Sequence, residues 1–167
     1  IEETNSNIRL LSPFETIQYW NSIPERSSTY SDTNAISVYQ NEGHNEELRK
    51  RALEIVGKDS KDLTTPLLIL NLGIEPSDDD YGFIFTETPY IQTIEAPFLT
   101  QDGKIKYDPK NNTLISSQDG IKLCTTYTQS NLGRFGQDGD KLVARNVYLL
   151  GSNESGRIRL IQETSKV

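Results

Sequence analysis

Apolar and polar residues alternate along the second half of the chain as they do in half-buried β-strands. In the segment KIKYD, at 104–108, the apolar Ile105 and Tyr107 alternate with Lys104 and Lys106. IKLCTTYT alternates in the same way, whereas KLVARNVYLL carries apolar residues on both faces, as a strand covered on both sides does. Because successive side chains of a strand point to opposite faces, the pattern predicts strands with an apolar face and a cationic face.

Three Gln-Asp-Gly triplets separate these runs, at 101–103, 118–120 and 137–139. Asp-Gly tolerates the positive φ angles of tight hairpin turns, so each triplet predicts a turn between paired strands. A calcium loop is the competing interpretation. An EF-hand loop, however, needs ligands at alternate positions and a final glutamate, which none of the triplets supplies. We therefore expect turns, and no metal site either at the triplets or in the acidic segment SDDD.

Two helices are predicted in the first half of the chain. In SPFETIQYW, Ser12 can cap the helix, Pro13 suits its first position and Glu15 completes a capping box. HNEELRKRALEIVGKD predicts a longer helix at about 45–57, capped by His44 or Asn45 and ended by a glycine. Its spacing places an apolar stripe on one side, and the segment RKR at 49–51 towards water.

These elements predict an α+β fold dominated by an antiparallel β meander. The meander is expected to curl into a barrel, with a lipocalin-like architecture as the analogy, or to pack as a sandwich. AISVYQ, TTPLLILNLG and YGFIFTETPYIQTIEAPFL supply further strands. We expect one domain over 1–167, with a helical, acidic part at 1–65 and the β meander at 66–162.

Charge is distributed unevenly. The formal net charge of −7 arises from −10 in residues 1–100 and +3 in residues 101–167. An acidic balance speaks against sequence-independent nucleic-acid binding, whereas the basic second part allows an anionic ligand. No apolar run approaches the length of a membrane span. The chain begins at Ile1 and contains no Met, so we expect a processed chain or a segment of a larger protein.

Catalytic and cofactor signatures are missing from the sequence. His44 is the single histidine, and it falls at a predicted helix start rather than beside a nucleophile motif. Cys124 is the single cysteine and lies in a predicted strand, where a packed apolar role is usual. Neither a phosphate-binding loop nor a dinucleotide fingerprint is present, so we expect no cofactor.

Four residues are the candidate ligand-binding positions: Arg145, Lys122, Arg157 and Trp20. Arg145 lies mid-strand in a segment that is apolar on both faces, where a guanidinium needs an anionic partner. That partner is either a carboxylate of the chain or a ligand assisted by Lys122 or Arg157. Trp20 would lie near the first strands of a barrel. The competing interpretation is that the cations form the wet side of a half-buried sheet.

The favoured function is a non-catalytic binding or assembly module with a protein partner or a small acidic ligand. One alternative is a carrier or chaperone that holds an acidic amphipathic ligand inside a β-barrel. A second alternative is a carboxylate-dependent enzyme acting on carbohydrate, since paired carboxylates need no local motif.

Overall fold

The computed structural model describes residues 7–40, 43, 45–78, 82–125, 131–146 and 160–163. It contains two α-helices, α1 (Pro13–Gln18) and α2 (Glu46–Ile55). Twelve strands follow the chain in the order β1 (Asn7–Leu10), β2 (Tyr30–Val38), β3 (Leu67–Leu70), β4 (Gly73–Pro76), β5 (Phe83–Thr86), β6 (Gln92–Glu95), β7 (Gly103–Asp108), β8 (Thr113–Ser116), β9 (Ile121–Thr125), β10 (Leu132–Asp138), β11 (Lys141–Asn146) and β12 (Leu160–Glu163).

Eight of these strands form one curled sheet in the order β6-β3-β2-β10-β11-β9-β7-β8, which is nearly closed into a barrel. All pairs in it are antiparallel except β9 with β11. Two small antiparallel sheets, β1 with β12 and β4 with β5, lie outside it. The predicted α+β architecture with a curled, mainly antiparallel sheet is therefore confirmed.

Helix α1 packs against the interior of the barrel. Its capping box forms as predicted, with Ser12 and Glu15 each bonding the other's backbone N–H and Pro13 in the first turn. The helix contacts β2, β7 and β10. Its buried Ile17 joins Trp20 of the following 3-10 turn in a core with inward-facing strand residues. Filling the interior with side chains is the usual arrangement in a small barrel.

Helix α2 covers the outer face of the same sheet. Its Leu48 and Leu53 form a second core with Leu67 and Ile69 of β3. Because the alternate residues of β3 belong to the inner core, this strand is buried on both faces. The prediction that Arg49 faces water is wrong, since its side chain is 2% exposed. Its guanidinium reaches carbonyl groups just after β2, which a helical-periodicity argument cannot see.

Strand β2 is longer than its predicted core of AISVYQ and begins at Tyr30. The polar segment before Ala35 joins the sheet because its inward side chains find partners on β10. Thr33 Oγ1 donates to the carbonyl of Phe135 at 2.8 Å, and Ser31 Oγ donates to Gln137 Oε1 at 3.1 Å. Satisfied polar groups can be buried at little net cost, so polarity alone does not exclude a strand.

The three Gln-Asp-Gly triplets adopt three different structures. Gly139 has a φ of +60° and forms the β10–β11 hairpin with Asp140, as predicted. The prediction of a hairpin turn with a positive φ is wrong for the other two triplets, although the second of them does form a turn. Gly103 is the first residue of β7, and neither it nor Gly120 has a positive φ. The 118–120 triplet belongs to a turn closed by a bond from the Gly120 N–H to the Ser117 carbonyl at 3.1 Å.

That turn carries the chain across β7 rather than between paired neighbours. Strands β8 and β9 lie on opposite sides of β7, and Ser116 and Ile121 both pair with Ile105. Because β9 starts at the level where β8 stops, the chain has to cross about two strand spacings, or ~10 Å. Residues 117–120 are sufficient for this step, and we call them the crossing loop.

Candidate functional site

The sequence-predicted ligand residues do not share one site where the structure describes them. Trp20 is buried in the inner core, with the guanidinium of Arg26 4.8 Å from its ring centroid. Lys122 is exposed on β9, opposite Lys104 of β7. Arg157 lies outside the described residues, as does His44.

Arg145 lies in β11 at the position paired with Arg134 of β10, and the structure describes its backbone alone. The neighbouring Arg134 forms an ion pair with the carboxylate of Asp32 at 3.2 Å. Burial raises the pKa of Asp32, although the positive charge of Arg134 acts in the opposite direction. The ligand prediction for Arg145 therefore stays a prediction.

A cleft of about 720 Å³ opens beside helix α1, where β3 ends and β6 begins. We call it the amide cleft, and its lining comprises Arg9, Ser12, Phe14, Asn34, Leu70, Asn71, Pro89, Tyr90, Ile91 and Gln92. Four separate segments of the chain supply these residues. The volume lies in the range of small-molecule binding sites.

The floor of the amide cleft is a pair of hydrogen-bonded side-chain amides. Asn34 Nδ2 donates to Asn71 Oδ1 at 2.7 Å, and the Asn71 N–H donates to the Asn34 carbonyl at 3.0 Å. Asn71 follows β3 with a φ of +64°, a left-handed conformation that asparagine tolerates better than most residues. Asn34 Oδ1 is buried and has no hydrogen-bond partner among the described residues.

One wall of the cleft is the start of helix α1. Arg9 makes two hydrogen bonds with the carboxylate of Glu15, at 2.7 and 2.5 Å. The bonds from Arg9 hold the pKa of Glu15 below its ordinary value, although partial burial acts in the opposite direction. Glu15 also accepts the N–H of Ser12 at 2.8 Å. On this wall the positive charge of Arg9 is therefore balanced by the negative charge of Glu15.

Another part of the lining is the segment that leads into the edge strand β6. The side chain of Tyr90 is 75% exposed, and Gln92 is exposed beside it. Their backbone is nonetheless fixed, because Asn71 Nδ2 donates to the Tyr90 carbonyl at 2.9 Å. Thr88 Oγ1 donates to the Asn71 carbonyl at 2.7 Å. The cleft thus combines a rigid amide floor with an exposed aromatic ring.

Sequence reasoning missed the amide cleft. Asn34, Asn71 and Tyr90 are far apart in the chain, and each has the polar or turn character of an ordinary loop residue. The available signals were Asn71 directly after a buried strand and the Pro89-Tyr90 dipeptide before another strand. Both indicate loops at the end of a sheet, where binding residues are common.

Other chemistry is limited among the residues that the structure describes. Across those ranges, no three His, Cys, Asp or Glu side chains gather where they could hold a metal ion. Neither described helix is long and apolar enough to cross a lipid bilayer.

Comparison of the chain with family models, with curated proteins and with solved structures finds no match.

Proposed function

We propose that this domain is a non-catalytic binding module that holds a neutral, hydroxyl-rich ligand, of the saccharide class, in the amide cleft. The observation that carries the proposal is the Asn34–Asn71 pair, which is bonded to the Tyr90 carbonyl and shares the cleft lining with the exposed Tyr90 side chain. Little needs to be ordered on binding because the floor is already fixed by hydrogen bonds. Preorganisation of this kind lowers the entropic cost of association.

The chemistry of the lining favours a neutral ligand. The guanidinium of Arg9 is already neutralised by Glu15, so the cleft offers no free charge for a carboxylate to meet. Side-chain amides both donate and accept hydrogen bonds, as vicinal hydroxyl groups do. The flat aliphatic face of a pyranose can stack on the ring of Tyr90, while Gln92 contacts its edge.

The two alternatives have less support. A carrier would need a cavity inside the barrel, whereas the interior positions described are occupied by packed side chains that include Trp20, Phe98 and Phe135. A glycosidase needs two carboxyl groups about 5–10 Å apart. No carboxylate lines the described cleft, and the nearby Glu15 is bonded to Arg9 with a lowered pKa, which is unsuited to an acid catalyst.

The test is saturation-transfer NMR with a panel of neutral mono- and disaccharides, with dodecanoate as the acidic amphipathic arm. We expect at least one saccharide to bind, and Tyr90→Ala to weaken its binding about tenfold, since an aromatic contact contributes ~1 kcal/mol beyond its buried area. Tyr19→Ala is the matched control, because Tyr19 is also exposed, at 49%, and lies outside the cleft lining.

The outcomes separate the three functions. Saccharide binding that Tyr19→Ala leaves intact and Tyr90→Ala weakens supports the module. Binding of dodecanoate alone, unaffected by Tyr90→Ala, would favour the carrier instead. Cleavage of a panel member would overturn the non-catalytic assignment.

A further inference from the structure

We propose a second ligand site, for a phosphate or sulfate group, next to the crossing loop. A cleft of about 430 Å³ lies where the first two Gln-Asp-Gly triplets meet. We call it the triplet cleft, and its lining includes Phe98, Gln101, Lys104, Ser116 and Gln118. It shares no lining residue with the amide cleft, so ligand binding at the two clefts can be tested independently.

Two lysines supply the positive charge, one in the lining of the triplet cleft (Lys104) and one beside it on β9 (Lys122). Lys104 and Lys122 are direct cross-strand partners on β7 and β9, and both are exposed. Their Cβ atoms are therefore about 5 Å apart, and like charges at that position are unfavourable. Neither ammonium group meets a carboxylate within the described ranges. Lys106 on the same strand differs, because it forms an ion pair with Asp119 at 3.2 Å.

Uncharged polar residues share the lining of the triplet cleft with Lys104. The side chains of Gln101, Ser116 and Gln118 line the triplet cleft and make no hydrogen bond with any residue that the structure describes. Each can donate to an oxyanion through an amide N–H or a hydroxyl group. A tetrahedral oxyanion accepts several such bonds at once, and bonds to a charged group are the stronger ones.

The carboxylates of the two triplets have partners of their own. Asp102 Oδ1 accepts the N–H of Thr125 at 2.8 Å, which anchors the first triplet to the end of β9. Asp119 bonds to Ser117 and to Lys106. Asp102 is the carboxylate in the lining, whereas Lys104 in the lining and its cross-strand partner Lys122 together carry two positive charges. The local balance still favours an anion.

The size of the triplet cleft favours an ester over a free ion. A volume of about 430 Å³ exceeds what one oxyanion fills, and Phe98 adds an apolar surface to the lining. We infer that the site takes a phosphate or sulfate group carried on an apolar or aromatic substituent. The lysines and donors would hold the oxyanion, and the substituent would lie towards Phe98.

The experiment titrates the ¹⁵N-labelled chain with phenyl phosphate, inorganic phosphate and phenol at low ionic strength, because salt screens exposed lysines. We expect saturable shifts at residues 101–104 and 116–118 with phenyl phosphate, weaker binding of inorganic phosphate, and none of phenol. Lys104→Gln and Lys122→Gln should each weaken phenyl phosphate binding at least about fivefold, as expected for loss of a charge-assisted contact. Lys58→Gln is the control, an exposed lysine beyond the C-terminal end of α2.

The outcomes are distinguishable. Equal affinity for phenyl phosphate and inorganic phosphate would keep the oxyanion site and assign it to a free ion. The proposal is overturned if no shifts occur in the triplet cleft, if phenol binds as well as phenyl phosphate, or if Lys58→Gln causes the same loss as Lys104→Gln.

Discussion

Alanine substitution of the three triplet glycines should give three different stabilities. At Gly120, an added Cβ would lie 2.3 Å from the Ile105 carbonyl oxygen and 2.5 Å from its carbonyl carbon. Ile105 is 1% exposed and pairs with strands on both sides, so its backbone cannot move aside without disturbing both. We expect Gly120→Ala to cost about 2–3 kcal/mol, at the upper end for overpacking.

The other two glycines provide matched comparisons within the same tripeptide. At Gly139 the nearest atom to an added Cβ is the Ser27 carbonyl oxygen at 3.8 Å, so the cost of Gly139→Ala is the φ of +60° alone, about 1 kcal/mol. Gly103 has open space and no positive φ. Gly103→Ala should therefore be neutral, or stabilising by about 0.5 kcal/mol through the unfolded chain.

Urea denaturation of the three variants measures these differences directly, and thermal unfolding gives a second measure. For a chain of this size, 1 kcal/mol corresponds to about 2–4 °C in melting temperature. The expected order of destabilisation is Gly120→Ala, then Gly139→Ala, then Gly103→Ala. If Gly120→Ala were as stable as Gly103→Ala, the close crossing over β7 would be wrong.

Two further predictions concern the buried arginine of α2. Arg49 donates to the Tyr39 carbonyl at 2.8 Å and to the carboxylate of Glu46 at 2.6 Å. Arg49→Met should therefore lower the free energy of unfolding by about 3 kcal/mol. Arg51 and its ion-pair partner Glu54 are each 52% exposed, so Arg51→Met should change that free energy by less than about 0.5 kcal/mol. Equal losses in urea denaturation would contradict this. The Arg49 contact also lowers the pKa of Glu46, so its contribution is present above the ordinary value of 4.5 and is lost as the pH falls towards the lowered pKa. Urea denaturation between pH 7 and 3 should thus show a shallower acid loss for Glu46→Gln, and an unchanged slope would contradict it.

Features set by neighbouring residues could be predicted from the sequence. The capping box of α1 and the limits of α2 depend on residues within one or two turns, and both helices form where expected. Alternation placed Ile105 inward and Lys104 outward on β7, as the structure has them. The apolar segment TTPLLILNLG predicted a strand, and the structure packs β3 between two separate cores.

Features set by distant contacts could not be predicted. The parallel pairing of β9 with β11 and the crossing between β8 and β9 depend on which strands meet, which no local pattern encodes. The burial of Arg49 depends on the carbonyl groups of Tyr39 and Gln40, which lie outside the helix, just after β2. The amide cleft depends on Asn34 and Asn71 meeting through the pairing of β2 with β3.

The most direct test of the binding proposal is to locate a bound saccharide by the side-chain amide signals of the ¹⁵N-labelled protein. With a saccharide that binds, we expect saturable shifts of the Asn34, Asn71 and Gln92 NH₂ signals, and upfield shifts of the sugar C–H protons from the Tyr90 ring. Saturable binding with these amide signals unmoved, or with shifts confined to another surface, would contradict the assignment of the amide cleft as the ligand site.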